Sequence, residues 1–214
     1  MRRCRLLMVV AVACVLSVAA GAGCKKGTPT TCKGWAKYLK SPVRARDAIK
    51  NLGDLRCKES LADLEAIFPT SQYKDDILTT VKAINDPKGS ISLLKKALAD
   101  PSAAILASAV AEDFAAPELR PALLEILSTD KAMKARLNAL KALAKLDQAS
   151  LKADEDLLIQ LLRNDPNLQG FEVNALAAEL LGHLASEKAV PDLVVGLFVR
   201  AQHGGALYSS CRKA

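Results

Sequence analysis

The sequence is poor in aromatic residues, with one Trp, three Tyr and four Phe among 214 residues. Proteins that bind single-stranded nucleic acid stack bases on aromatic rings, and proteins that bind duplexes present a dense basic surface. The net charge of +7 includes Arg2, Arg3 and Arg5 at the extreme start of the chain. Few rings and a modest charge therefore argue against a nucleic-acid partner.

Motifs that mark common catalytic and metal sites are also missing. The sequence contains no G-x-S-x-G, no glycine-rich phosphate loop and no H-E-x-x-H. His183 and His203 lack a second ligand at the short spacing of zinc motifs. Acidic clusters occur at 75–76 and 154–156, and the second precedes an apolar run, where carboxylates favour a helix N-terminus. We expect no cofactor, no metal and no enzymatic activity.

One long uncharged segment is present, at residues 6–20, after the three arginines and before the small residues 21–23. A basic region, an apolar region and a small-residue exit form the layout of a secretory signal. The segment is shorter than the about 20 apolar residues that span a bilayer, and no later segment is as long. A multi-pass membrane protein is therefore excluded.

The residues Gly21-Ala22-Gly23-Cys24 resemble the lipobox of bacterial lipoproteins. The resemblance implies a signal peptide at 1–23, acylation of Cys24 and a lipid-attached polar tether at 24–31. We expect an outer-membrane lipoprotein of the bacterial cell envelope that faces the periplasm or the exterior. Two alternatives stay open, namely cleavage after Ala22 to give a soluble periplasmic or secreted protein, and an uncleaved N-terminal anchor.

Basic residues are concentrated just after this segment. Residues 25–58 contain ten Lys or Arg and two Asp, a balance of +8, whereas 59–214 contain 17 basic and 21 acidic residues, a balance of −4. A basic segment beside a lipid anchor could lie against anionic headgroups. The alternative is that these side chains are simply solvated.

Beyond Cys24, three cysteines remain: Cys32, Cys57 and Cys211. Export brings them to an oxidising compartment, where cysteines usually pair. Cys32 opens the first predicted helical hairpin and Cys57 follows its second helix, so the two positions return to each other. We predict a Cys32–Cys57 disulfide, with two buried thiols as the alternative. Cys211 is left as a free thiol or as half of an intermolecular disulfide.

Short amphipathic segments rich in Ala and Leu fill the rest of the chain, which favours helix over strand. The motif Ala-x-x-x-Leu, followed by Gly or Ala, is clear around positions 52, 143 and 181 and weaker around 81 and 110, which gives spacings of 29, 29, 33 and 38 residues. A second series of apolar helices has anchors at 64, 93, 123, 157 and 193, spaced 29, 30, 34 and 36 residues apart. Two series that advance together indicate a two-helix repeat.

Proline positions agree with this division. Ser41-Pro42, Asp100-Pro101 and Asp165-Pro166 each offer a capping side chain followed by proline. We predict that second helices begin at these prolines, and that first helices begin near Pro117 and Pro191.

In the first unit, Val43-Arg44, Ala48 and Leu52-Gly53 resemble the second helix of a HEAT repeat, and the likeness extends over about residues 32–214. It implies an all-α domain at 32–214. The expected form is an α-solenoid of about five to six antiparallel helix pairs with an incomplete last repeat. In such a solenoid the second helices line a concave surface used for binding.

The positions of the anchor residues predict a polar strip on the second helices. In the fourth unit Lys134, Asn138, Lys141 and Lys145 fall at i, i+4, i+7 and i+11, on one helix face. Alignment of the anchors adds Lys50, Asp54, Thr79, Ser108, Glu112, Glu179 and His183. This mixed-charge strip could recognise a protein or peptide by complementarity, or it could be a solvated helix face.

These features indicate a non-enzymatic, lipid-anchored protein-binding scaffold of the cell envelope. Two alternatives remain. One is a HEAT-like enzyme of the lyase type acting on a small ligand, because some proteins of this kind resemble bilin lyases. The other is a structural module that associates with itself through the C-terminal end or through Cys211.

Overall fold

Every regular element that the structure describes is a helix, and no strand occurs in the described ranges. The structure is a computed structural model, and it describes residues 28–129, 132–146, 148–163, 171–197 and 201–214. Their α-helices are α1 Cys32–Ala36, α2 Ala45–Asp54, α3 Leu61–Ile67, α4 Lys74–Ile84, α5 Pro87–Ala99, α6 Ala104–Phe114, α7 Arg120–Ser128, α8 Met133–Ala144, α9 Gln148–Ala153, α10 Glu155–Arg163, α11 Glu172–His183, α12 Val190–Leu197 and α13 Ala201–Lys213. The prediction of an all-α fold is confirmed.

The expected signal peptide at 1–23, the lipidation site Cys24 and the first part of the tether lie outside the described residues. Within the described ranges, no helix is both long enough and apolar enough to cross a membrane. The helices belong to one unit, Thr31–Ala214.

Contacts between helices follow two series. In one, α2 packs on α4, α4 on α6, α6 on α8, α8 on α11 and α11 on α13. In the other, α3 packs on α5, α5 on α7, and α10 on α12. Contacts across the two series join α1 with α2, α5 with α6, α7 with α8, α10 with α11, and α12 with α13. The hydrophobic core extends along these contacts from Trp35 to Cys211.

The anchor residues predicted from the sequence lie in this core, with one exception. The anchors of the α2 series are all buried: Leu52, Val81, Val110, Leu143 and Leu181. Burial of a leucine or valine side chain contributes about 1.5–3 kcal/mol relative to exposure. In α10 the predicted anchor Leu157 is only half-buried, and its neighbour Leu158 takes the core position at 1% exposure.

Several helices of the α2 series end at a residue with a left-handed backbone. These residues are Arg56 after α2, Asn85 after α4, Ala115 after α6 and Ala185 after α11, with φ between 46° and 53°. After α2, the amide of Cys57 donates to the carbonyl of Leu52 and the amide of Arg56 donates to that of Gly53. The same two bonds recur after α11, from Ser186 to Leu181 and from Ala185 to Gly182. The repeated Leu-Gly pair therefore belongs to a Schellman cap.

The predicted helix starts at Pro42 and Pro101 are wrong by three residues. Both prolines lie in turns, and α2 and α6 begin at Ala45 and Ala104. The polar residue before each proline caps the turn instead. The Ser41 hydroxyl accepts a hydrogen bond from the Arg44 amide at 3.3 Å, and the Asp100 carboxylate accepts one from the Ser102 amide at 2.9 Å. Pro166 lies outside the described residues.

The starts near Pro117 and Pro191 agree with the structure. Pro117 opens the 3-10 turn Pro117–Leu119 that leads into α7, and Pro191 is the second residue of α12.

Cys32 and Cys57 form a disulfide, as predicted, with their Cα atoms 5.5 Å apart. The bridge joins the first residue of α1 to the loop that follows α2. Cys211 is a free thiol, and it is buried. Its pKa is raised because burial disfavours the thiolate. A β-carbon added to Gly196 would lie 2.5 Å from the Cys211 sulfur, so α12 and α13 are in close contact there.

Candidate binding surface

The polar strip predicted from the sequence lies on five helices that contact one another in order. Lys50 and Asp54 belong to α2, and Thr79 belongs to α4. The remaining members follow on α6 (Ser108 and Glu112), on α8 and its C-cap (Lys134, Asn138, Lys141 and Lys145) and on α11 (Glu179 and His183). Most members are exposed, and Glu112 and Asn138 are partly exposed.

Ser108 does not belong to an exposed strip. Its side chain is fully buried, and its hydroxyl donates a hydrogen bond to the Ile105 carbonyl at 3.0 Å. The reason is that α6 is rich in alanine, and Ala104, Ala107 and Ala111 are buried together with Ser108. A serine whose hydroxyl is satisfied within its own helix can take a core position beside them.

Three strip residues line a groove between α2 and α4. The groove has a volume of about 520 Å³ and is lined by Arg46, Asp47, Lys50, Gly53, Asp54, Asp76, Thr79, Thr80 and Ala83. Five of these residues are charged. The small residues Gly53 and Thr80 are buried and form the floor. A space of this size is in the range of small-ligand sites and can also accept a side chain of a bound protein.

The floor of the groove is set by a close approach of the two helices. A β-carbon on Gly53 would lie 3.2 Å from the hydroxyl oxygen of Thr80. That hydroxyl donates a hydrogen bond to the Ile49 carbonyl at 3.0 Å. The Thr79 hydroxyl donates to the Asp75 carbonyl of its own helix at 2.8 Å. Both hydroxyl protons are thus used within the fold.

The charges of the groove are only partly neutralised within the chain. Arg46 pairs with Asp76 across the groove at 3.0 Å. Lys50 and the carboxylates of Asp47 and Asp54 make no ion pair with another described residue. The groove therefore presents one ammonium between two carboxylates on a single helix, and these groups are available to a partner.

Two residues in the middle of the strip are bound to α6, one of them through another member of the strip. Lys145 pairs with Glu112 at 3.1 Å, which links the end of α8 to α6. The Asn138 amide donates to the Ile105 carbonyl at 3.1 Å. Lys134 and Lys141 form no ion pair with a described residue. The strip therefore carries unpaired positive charge on α8.

At α11 the strip ends in an acidic residue and a histidine one turn apart. The nearest nitrogen of His183 is 3.9 Å from a Glu179 oxygen, and both side chains are well exposed. Among the described residues, no group of three or more His, Cys, Asp or Glu side chains is placed to hold a metal ion.

The acidic clusters noted in the sequence bind basic residues of neighbouring helices. Asp76 pairs with Arg46. In the second cluster Asp154, predicted only to favour a helix N-terminus, is buried and accepts two hydrogen bonds from the Arg120 guanidinium. Asp156 pairs with Lys188, which lies in the 3-10 turn just before α12. Both clusters therefore contribute to contacts between helices.

Sequence reasoning missed the groove residues Arg46, Asp47, Asp76 and Thr80. A signal for two of them was available, because Arg46 lies one turn before Lys50 and Asp76 one turn before Thr79. Extending each candidate face by one helical turn would have included them. The groove itself depends on the distance between α2 and α4, which the sequence does not state.

A scan of the chain against protein-family models found no match, and a search of curated proteins found no significant match.

Proposed function

We propose that this chain is a non-enzymatic protein-binding scaffold of the bacterial cell envelope, with its helices arranged as a HEAT-like α-solenoid. The partner is a protein or peptide that binds the polar strip on the α2 series of helices. The groove between α2 and α4, with its unpaired Lys50, Asp47 and Asp54, is the observation that carries the proposal.

The pattern of polar contacts supports the solenoid arrangement. Ion pairs between helices join Arg46 with Asp76, Glu65 with Lys96, Lys74 with Asp100, Lys82 with Asp113, Glu112 with Lys145, Arg120 with Asp154, Asp156 with Lys188 and Arg163 with Asp192. Their partners lie between 26 and 34 residues apart, which is about one helix pair. Contacts of this kind are expected where each unit stacks on the next.

The proposed place of work is the membrane surface of the envelope, with the chain held by a lipid on Cys24. The support is the order of charge, apolar segment and Gly21-Ala22-Gly23-Cys24 in the sequence. In a cell fractionation, Cys24→Ser should move the protein from the membrane fraction to the soluble fraction. Retention of the variant in the membrane fraction would instead favour an uncleaved anchor.

Partner binding is tested by comparing three forms of the chain as bait in an envelope extract. Lys50→Glu combined with Asp54→Lys preserves the net charge and reverses the pattern of the groove. Lys88→Glu combined with Asp63→Lys makes the same exchange at exposed positions that do not line the groove. We expect the wild type and the second variant to retain the same protein, and the first variant to lose it. Equal recovery by all three forms would remove the groove from the binding site.

Self-association is a second candidate, supported by an apolar face on α12. Val190, Val194 and Val195 are 51%, 46% and 66% exposed. Ile159 is the fifth residue of α10, as Val194 is of α12, and it is buried at 5% exposure. A helix face that is buried in α10 but exposed in α12 can pack against a second copy of the chain. Because Cys211 is buried, this route would be non-covalent.

Light scattering of the wild type, Val194→Lys and Cys211→Ser, with and without reductant, tests this candidate. A dimer that Val194→Lys makes monomeric would support it. A wild type that is monomeric at all accessible concentrations would exclude it, and a dimer lost only with Cys211→Ser or reductant would point to the cysteine.

A further inference from the structure

Three lysines, one in α1 and two in the turns that follow it, lie on the side turned away from the core. Lys33, Lys37 and Lys40 follow one another at i, i+4 and i+7, and all three are exposed. Trp35 and Leu39, on the opposite side, are each only 5% exposed. Backbone hydrogen bonds continue the winding beyond the end of α1 as far as residue 41. These bonds run from residue i to i−3, which brings residues three apart into line, so the three lysines lie on one side of the segment.

The disulfide adds two cations to this row. Arg56 and Lys58 flank Cys57, both are exposed, and the Cα atoms of Cys57 and Cys32 are 5.5 Å apart. Since Lys33 directly follows Cys32, three basic residues surround the bridge. We name the set Lys33, Lys37, Lys40, Arg56 and Lys58 the basic face.

The described residues do not neutralise the basic face. None of its five members makes an ion pair with another described residue. The nearest acid in sequence is the exposed Glu59, next to Lys58, and Asp54 lines the groove instead. Basic residues elsewhere, such as Arg120 and Arg163, each bind a carboxylate of a neighbouring helix. Like charges gathered without partners repel one another, and a negatively charged surface outside the chain would relieve this.

The surroundings of the basic face indicate what kind of surface this is. Val43 and Leu55, 85% and 44% exposed, lie next to Arg44 and Arg56 in the chain. The guanidinium carbon of Arg44 lies 4.5 Å from the centroid of the Tyr38 ring, which keeps Arg44 against the end of α1 and covers that ring. Cations interspersed with single aliphatic side chains suit a lipid headgroup region. A single-stranded nucleic acid would instead need exposed aromatic rings on which its bases could stack.

We propose that the basic face docks on an anionic membrane surface through phosphate-bearing headgroups and holds α1 against the bilayer. All five cations of the basic face belong to the described residues. The lipid on Cys24, which rests on the proposed function, would favour it further. Cys32 follows Cys24 by eight residues, and eight residues extend to at most about 29 Å. A chain anchored there would keep the basic face within reach of the headgroups.

The test is sedimentation of the mature chain, residues 24–214, with vesicles, carrying Cys24→Ser in every form so that neither an acyl chain nor the apolar segment 6–20 contributes. Vesicles of phosphatidylcholine alone are compared with vesicles in which one quarter of the lipid is phosphatidylglycerol. We expect tighter binding to the anionic vesicles, weakened by salt. The triple variant Lys33→Gln/Lys37→Gln/Lys40→Gln should bind the anionic vesicles on the order of 100-fold more weakly, because each lysine contributes about fivefold to the affinity.

The matched control replaces Lys88, Lys95 and Lys213 by Gln. These lysines are exposed on α5 and α13 and make no ion pair with a described residue, so the loss of charge is the same. The control should bind like the parent. Three outcomes would overturn the proposal. They are an equal loss of vesicle binding in both triple variants, equal binding of the parent to the two kinds of vesicle, and no binding of the parent to either. Partner retention by the groove is measured separately, so either proposal can be rejected without the other.

Discussion

Gly53 of α2 and Thr80 of α4 approach so closely that a β-carbon on Gly53 would stand 3.2 Å from the Thr80 hydroxyl oxygen. The same hydroxyl donates to the Ile49 carbonyl. The floor of the groove thus depends on a missing side chain on one helix and a buried hydroxyl on the other.

Thr80→Val should lower the free energy of unfolding by about 1 kcal/mol, because it removes a buried hydrogen bond between helices while keeping the shape of the side chain. Thr79→Val is the matched control, since the exposed Thr79 hydroxyl bonds only within its own helix. Urea denaturation measures both. An equal loss for the two variants would show that the Thr80–Ile49 bond contributes no specific stability.

Arg120→Ala should cost about 2–3 kcal/mol of stability, because it leaves the Asp154 carboxylate buried without its partner. The side chain of Asp154 is only 8% exposed. Arg46→Ala removes a cation from a pair in which the arginine is 70% exposed, and it should cost less than about 1 kcal/mol. Thermal unfolding of the two variants distinguishes these values, and a reversed order would contradict the assignment.

The Asp100 carboxylate gives a dependence of stability on pH. A hydrogen bond from Lys74, helped by Ser102, lowers the Asp100 pKa from 3.8 to about 2. A carboxyl group with a lowered pKa in the folded state stabilises the fold above its unfolded pKa, and this stabilisation is lost as pH falls toward the folded pKa. Lys74→Met should therefore be less stable than wild type by about 1–2 kcal/mol near pH 7, after allowance for solvent screening.

The difference between wild type and Lys74→Met should shrink as the pH falls from about 4 to about 2. Denaturation of both forms across this range measures it. A difference that stays constant down to pH 2 would mean that Lys74 stabilises the fold by packing, for example against Phe68, whose ring centroid is 5.9 Å from the ammonium.

Ala115→Gly should stabilise the protein by about 1 kcal/mol. Ala115 has φ 46°, and a left-handed backbone is costly for a residue with a β-carbon. Ala109→Gly, in the interior of the same helix, should destabilise by about 1 kcal/mol because glycine loses more backbone entropy there. If both variants are destabilised, the cap after α6 does not carry the expected strain.

The disulfide should contribute about 3 kcal/mol, because it closes a loop across a separation of 25 residues in the unfolded chain. The double variant Cys32→Ser/Cys57→Ser should therefore unfold at lower urea concentration. Reductant should lower the stability of the wild type to a similar extent and leave the double variant unchanged. A wild type insensitive to complete reduction would contradict this value.

The helical elements and the disulfide could be predicted because each depends on local spacing. Leu52 and Leu181 repeat the same pattern with the same phase, and Cys32 and Cys57 bracket a single hairpin. The prediction was wrong where local signals were ambiguous. Leu157 and Leu158 are adjacent leucines, so hydrophobicity alone does not show which one faces the core. Pro101 permits both a helix start and a turn.

The candidate surface was harder to predict than the helices. Ser108 is polar, but its alanine neighbours give α6 no clear polar side, and its burial could not be seen from periodicity. The pairing of Arg120 with Asp154 and the groove between α2 and α4 depend on how far one helix lies from another, and no pattern within a single helix fixes that distance. Residues exposed on a well-defined amphipathic helix, such as Lys50 and Asp54, were placed correctly on the surface.

The short reach of the ion pairs between helices affects how the molecule responds to force and heat. Because each pair among the described residues joins positions no more than 34 residues apart, none of these pairs links α1 or α2 with α12 or α13. Opening at α12 and α13 would leave the pairs around α2 and α4 intact, and amide exchange should proceed in steps along the chain rather than all at once. Such short-range coupling limits how far the loss of one contact spreads through the fold.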